Sequence, residues 1–296
     1  MKQYSAELAV DCRCLLGEGP IWDERSRLLL WTDINKSVIH RYDPERKEHR
    51  SVNTKHAVGC FALRETGAGA IAAGVGGIYW LDIDTGGMEP IINPEADVPG
   101  IRFNDGKCDA KGRFLAGSIT ADGKPEGSFF TIDHSLEVRR NLGGVSCSNG
   151  LAWSLDNRTL YYIDSPKLSV VAYDYNSASG MIGTGNKVIV FPEGQGVPDG
   201  MTIDAEGMLW IAEWGNRRVG RWNPQTGELL ATVSVPSKFV TSCAFAGEGS
   251  NVLYITTASV NDEEHMHAGG LFRVTTDTTG LGTNYFRDNP VVSSSS

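Results

Sequence analysis

Residues 150–176, GLAWSLDNRTLYYIDSPKLSVVAYDYN, read as an apolar strand, an Asp-containing turn, a second strongly apolar strand, a polar turn and an alternating strand. Period-two alternation broken by Asp, Asn, Ser and Pro is strand-and-turn chemistry. Two more stretches line up with it: GPIWDERSRLLLWTDINKSVIHRYDPE at 19–45 and GMTIDAEGMLWIAEWGNRRVGRWNPQT at 200–226. Weaker copies begin at Cys60, Gly106 and Cys243, so six starts follow one another at intervals of 41, 46, 44, 50 and 43 residues. Repeats of roughly 40–50 residues built from short strands are the mark of a β-propeller. A fourth strand precedes most starts, as HRSVNT, LEVRRNL, KVIVF and LLATVSV. The expected fold is therefore all-β, a six-bladed β-propeller with four antiparallel strands per blade. SAELAVD, near residue 1, is expected to form the outer edge of the last blade and close the ring, which pairs an otherwise exposed edge. Residues 1–287 form one domain on this reading, and 288–296 (DNPVVSSSS) a disordered tail.

Composition agrees with a turn-rich folded chain. The 296 residues include 35 glycines, and 27 Lys+Arg against 36 Asp+Glu give a net charge of −9. That balance argues against nucleic acid, whose phosphates call for a basic stripe. No stretch approaches the roughly 18–20 uninterrupted apolar residues that cross a bilayer, and MKQYSAELAVD lacks the basic-then-apolar pattern of a secretion signal. No membrane partner and a cytoplasmic location are the expectations. The six cysteines are scattered and read as reduced and mostly buried. Cys12 and Cys14 would be metal ligands only if His or Cys partners converged on them.

In a propeller the innermost strand of each blade lines a central channel, so residues just before each repeat start converge on one mouth. These are Glu18, Asn104 with Asp105, Asn149 and Asp199, whereas Gly59 and Ser242 fill the other two slots. Carboxylates and amide carbonyls suit a hard cation such as Ca²⁺, Mg²⁺ or Mn²⁺. Asn-Gly and Asp-Gly are also favoured turn formers, and singly each pair reads as a turn. Four in register favour the ligand reading.

LLGEGPIWD at 15–23, RFNDGKCDAKGRFLAGS at 102–118, SNGLAWSLDNRTLYYIDS at 148–165 and PDGMTIDAEGMLWIAEWG at 198–215 resemble the senescence-marker-protein-30 (SMP-30), gluconolactonase and luciferin-regenerating-enzyme family, which includes regucalcin-like sugar lactonases. The resemblance runs from about residue 8 to about residue 275. It implies a six-bladed propeller with one divalent metal in the channel and a carboxylic-ester hydrolase activity on sugar lactones. It further implies Glu18, Asn149 and Asp199 as metal ligands, with Arg102 and Asn104 on the substrate hydroxyls and Glu126 as an acidic substrate contact. Ca²⁺ is the first expectation for the metal, and Mg²⁺, Mn²⁺, Fe²⁺ or Zn²⁺ would serve. On this reading the metal polarises the lactone carbonyl and Asp199 activates water. The partner is then a small sugar lactone, and the protein a monomer or weak homo-oligomer.

A metal-dependent phosphotriesterase and a non-catalytic calcium-binding regulatory propeller are the alternatives. GxSxG, HExxH, Walker and Rossmann signatures are missing. The run NDEEHMHAGG, with His265 and His267, offers one other metal cluster, and a solvated loop is its plainer reading.

Overall fold

The structure is a computed structural model and describes residues 1–260, 262 and 266–288. Among them the chain is a β-propeller of antiparallel sheets, with a single 3-10 turn at Ser165–Lys167. Four sheets have four strands each, taken in chain order from inner to outer edge. The first contains Gly17–Asp23, Leu28–Asp33, Val38–Asp43 and Glu48–Asn53, and the second Val58–Leu63, Ala70–Gly74, Gly77–Leu81 and Met88–Ile92. The third contains Ile101–Cys108, Phe114–Thr120, Gly127–Ile132 and Val138–Val145, and the fourth Ser148–Trp153, Thr159–Asp164, Ser169–Asn176 and Met181–Val190.

The remaining strands form one nine-stranded sheet whose halves meet through a single pair, Trp214 with Phe239. One half holds Val197–Ile203, Leu209–Trp214, Arg218–Trp222 and Leu229–Ser234; the other holds Phe239–Phe245, Val252–Ala258 and Leu271–Thr275. Glu7–Val10 lies antiparallel on Leu271–Thr275, with Leu8 opposite Phe272, so the N-terminal run does supply that outer edge. Ahead of it, Lys2–Ser5 pairs in parallel with Leu229–Ser234. Four antiparallel strands per blade was the expectation, and this half carries a fifth, parallel one. An unpaired outer strand offers free N–H and C=O groups to any extended segment, and residues 2–5 are close enough to take them.

Strands such as LLLWTD are buried on both faces because neighbouring sheets pack face to face. Leu29, Leu30 and Trp31 are each at most 1% exposed. The cores sit between sheets, not within them: Cys60, Ile71 and Ile78 of the second sheet pack with Phe103, Phe114 and Phe130 of the third. Contacts of this type are the unit of cohesion in a fold without helices.

The C-terminal segment runs across the ends of the inner strands away from the channel-mouth residues. Thr283 Oγ1 donates to Trp22 O at 2.7 Å, and Phe286 is fully buried in the core between the second and third sheets. Asp288, the first residue of the expected tail, is 7% exposed and pairs with Arg64 at 2.6 Å. The rest of that tail, 289–296, lies outside the described residues, as do His265, Glu263 and Glu264 of the alternative cluster. His267 Nδ1 is 3.8 Å from Asp11 Oδ1.

Candidate channel-mouth site

The inner strands among the described residues carry a register shift near their first residues. The shifts fall between Glu18 and Ile21, Val58 and Cys60, Phe103 and Gly106, Asn149 and Leu151, Pro198 and Met201, and Val240 and Ser242. A bulge re-aims side chains and breaks the pairing ladder locally. The residues picked out by the repeats sit at or in these bulges, so Asn149-Gly150 and Asp199-Gly200 are strand segments and not turns. The glycines serve close packing of inner strands. A Cβ on Gly150 would stand 2.7 Å from Asp199 O, and one on Gly200 would stand 2.1 Å from Ser242 Oγ.

Glu18, Asn104, Asp105, Asn149 and Asp199 are all between 5% and 8% exposed, and Arg102 is half-buried. Arg102 Nη1 donates to Asn104 Oδ1 at 2.7 Å and to Phe103 O at 3.0 Å. Asn104 Nδ2 donates to Ser148 O at 2.8 Å and to Asn149 Oδ1 at 3.1 Å. Asn149 Nδ2 donates to Ser165 Oγ at 2.8 Å, and that hydroxyl donates to Pro198 O at 2.7 Å. The three inner strands are thus tied side by side through amide groups whose orientation the network sets. Glu18 Oε2 accepts from Gly19 N at 2.9 Å, while Asp199 Oδ1 is buried with no hydrogen-bond partner.

The electrostatics are those of a crowded anionic pocket. Burial, and then the Asp105 charge, push the Glu18 carboxyl up to about 8. Burial, followed by the charges of Glu18 and Asp105, pushes Asp199 well above the ordinary carboxylate range. Burial also raises Asp105, against the pull of Lys107. Lys107 is itself lowered by burial, and its Nζ donates to Met201 O at 2.6 Å and Leu151 O at 3.2 Å. Three buried carboxylates whose ionisation burial and neighbouring negative charge make costly, one with an orphaned oxygen, are a donor set that a divalent cation fits. Neutral amide oxygens beside them and the lack of a His ligand favour a hard ion.

Glu126 stands apart, exposed in the turn before Gly127–Ile132, and among the described residues its carboxylate bonds none of the residues above. Several contributors were not legible beforehand. Ser165 and Lys107 stand inside the quoted stretches with no role assigned to them, and Cys147 lies just outside, yet Asn149 Nδ2 lies 3.6 Å from Cys147 Sγ. Asp33 and Asp164, at the ends of WTD and YID, hold the entries to two site strands. Asp33 accepts from Leu15 N and Leu16 N at 2.8 and 3.1 Å, and Asp164 from Ser146 N and Cys147 N at 3.2 and 2.9 Å. A recurring Asp at the close of the second strand was the available signal.

Residues 16–259 match the family model described as SMP-30/Gluconolactonase/LRE-like region. A Bacillus subtilis (strain 168) protein named as a candidate sugar lactone lactonase, YvrE, is 38% identical over 281 residues, covering 93% of this chain and 96% of its own length. Regucalcin of Xenopus laevis is 37% identical over 295 residues, covering 95% and 96%. A solved structure of luciferin-regenerating enzyme matches with a TM-score of 0.87 at 29% identity, over 95% of this chain and 99% of that one. Among the described residues no helix is long and apolar enough to cross a membrane.

Proposed function

This chain belongs to the SMP-30/gluconolactonase/LRE-like family, and from that premise we propose that it hydrolyses a sugar (aldono) lactone to the aldonic acid with one divalent cation at the channel mouth. The observation that carries the reading is the buried, unpartnered Asp199 Oδ1 among Glu18, Asn104 and Asn149. Glu18, Asn149 and Asp199 would hold the ion, with Ca²⁺ the first candidate and Mg²⁺, Mn²⁺, Fe²⁺ or Zn²⁺ the others. The fold reading that goes with it is six blades, counting the nine-stranded sheet as two joined at Trp214 and Phe239, in one domain over 1–287. Six bulged inner strands support that count.

When bound, the cation supplies Lewis-acid polarisation of the ester carbonyl. Asp199 takes the proton of the attacking water at a carboxylate oxygen, for which a raised pKa suits a general base. Arg102 presents guanidinium N–H groups to ring hydroxyls and to the carboxylate that ring opening creates. Asn104, whose oxygen is occupied by Arg102 and whose amide is occupied by Asn149, fixes the position of both. Glu126 reaches substrate only from the exposed turn, as a contact at the rim. Water enters the ester, the acyl C–O bond breaks, and the proton held by Asp199 returns to the leaving ring oxygen.

The test is a panel of aldono-1,4- and 1,5-lactones followed by proton release, with chelator and metal add-back arms. Turnover that vanishes with chelator and returns with one divalent ion is the expected result. Chelator-insensitive turnover, or none on any sugar lactone, overturns it. Relatives named regucalcin favour a second reading, calcium binding without turnover, and the same panel separates the two.

A further inference from the structure

The ring closes where residues 11–16 leave the last outer strand and enter the first inner one. Cys14 N donates to Gly269 O at 2.8 Å and Ser259 N to Cys14 O at 3.1 Å, so this linker ties the ends of Val252–Ala258 and Leu271–Thr275 to the first sheet. Within the seam, side chains from the linker, from Leu28–Asp33 and from Val38–Asp43 meet. Cys14 Sγ lies 3.5 Å from His40 Nε2 and 3.5 Å from Cys12 Sγ. The Cys14 sulfur, a His40 ring nitrogen and an Asp33 carboxylate oxygen all lie within 4.8 Å of one another, and all three residues are buried. Trp31 Nε1 points at the same sulfur at 3.5 Å, and its ring stacks on His40 at 4.9 Å.

We propose that this seam is a second metal site, separate from the channel mouth, in which Cys14, His40 and Asp33 take a thiophilic divalent ion of the Zn²⁺ type, and Cys12, whose sulfur lies beside Cys14 but outside that 4.8 Å group, turns in as fourth donor. Zn–S bonds of about 2.3 Å and Zn–N bonds of about 2.0–2.1 Å put the edges of a tetrahedron at roughly 3.3–3.8 Å. The two 3.5 Å separations around Cys14 fall in that range. The shell behind the ligands is also built. His40 Nδ1 is 2.9 Å from His49 Nε2, a contact that orients the ring with Nε2 toward the sulfur, in the way ligating histidines are commonly held through their second nitrogen. Leu15 N donates to Asp33 Oδ2, and Leu16 N and Lys36 N donate to Oδ1 at 3.1 and 3.2 Å, which fixes the carboxylate and leaves a lone pair on Oδ2. Entry runs past Cys12, which is part-exposed, and His49, which is exposed. Each thiol gives its proton to solvent as it ligates, so one ion releases two protons. The ion would clamp the linker to the first sheet and act as a closure for the ring.

The donors differ in kind from those of the channel. Thiolate bound to Co²⁺ gives a near-ultraviolet charge-transfer band that oxygen ligands do not, so success or failure here is independent of the lactonase reading. The experiment titrates Co²⁺ into the full chain, stripped of metal and kept reduced with a phosphine. The expected result is a thiolate band that saturates at one equivalent, is displaced by Zn²⁺, is lost in Cys14→Ser, and is weakened at least tenfold in affinity by His49→Gln, the usual scale for a supporting group. Cys12→Ser, at a part-exposed position that tolerates change, lowers the band intensity and serves if Cys14→Ser does not fold. No band in the folded wild-type protein overturns the proposal. So does a band that survives Cys14→Ser and disappears in Cys147→Ser, which would put the thiolate at the channel.

Discussion

The side-chain amide of Asn104 donates to Asn149 Oδ1 at 3.1 Å. A residue assigned to the sugar therefore holds a residue assigned to the cation, and the two roles are mechanically joined. With Asn149 Nδ2 committed to Ser165, only one amide orientation satisfies both bonds. Asn104→Ala is expected to weaken Ca²⁺ binding about 10–100-fold, the range typical of supporting groups around a metal, and to raise KM as well. Calorimetric Ca²⁺ titration beside lactone kinetics checks this; a change in KM with unaltered Ca²⁺ affinity would show the two roles to be separable.

Asp199→Asn keeps the size and an oxygen donor but removes the base. Loss of a general base costs about 10²–10⁴ in rate, so kcat should fall by that amount while the cation stays bound. Retained turnover in a variant that still binds metal would remove Asp199 from the chemistry and return weight to a pure binding role.

Gly150→Ala tests the close approach of inner strands. The added Cβ would meet Asp199 O at 2.7 Å and Met201 Cγ at 2.8 Å, neither of which can withdraw freely. Overpacking of this sort costs about 1–3 kcal/mol. Urea unfolding should show a lower midpoint at unchanged slope, and turnover should drop because the Asp199 backbone is displaced. A midpoint equal to that of the parent would mean that the inner strands have slack.

Acid should loosen the C-terminal segment. Burial alone would raise the Asp288 pKa, but the Thr66 hydroxyl at 2.9 Å and the Arg64 guanidinium outweigh it and hold the carboxyl below the ordinary aspartate value. A folded pKa below the unfolded one contributes stability that is complete above the unfolded value, near pH 4, and is lost as pH falls through the folded value. The melting temperature of Asp288→Asn should therefore lie below that of the parent at pH 7, with the gap narrowing below pH 4. A gap independent of pH would assign the effect to packing.

The repeat was legible because one hydrophobic pattern recurs from six starts, and Glu18, Asn104, Asn149 and Asp199 could be found by asking what precedes each start. Gly19, Gly106, Gly150 and Gly200 read as turn signals, although the turn at such a pair is only one use of a residue without a Cβ. Only neighbouring strands reveal the other use. Met88–Ile92 was hidden by Pro90, tolerable there because it lies on an outer edge. Lys2–Ser5 and the meeting of Cys14 with His40 depend on contacts between distant segments, and one sequence carries no mark of them. Glu126, exposed in its turn, is the assigned residue least tied to the others.

The two N-terminal strands have a consequence for assembly in time. Residues 2–5 and 7–10 leave the ribosome before any partner exists, since Leu229–Ser234 and Leu271–Thr275 are more than two hundred residues downstream. Contacts of such sequence separation are slow to form and leave edges open to other chains meanwhile. The strands at residues 2–5 and 7–10 are thus made long before the strands they pair with, and stay unpaired until Leu229–Ser234 and Leu271–Thr275 follow.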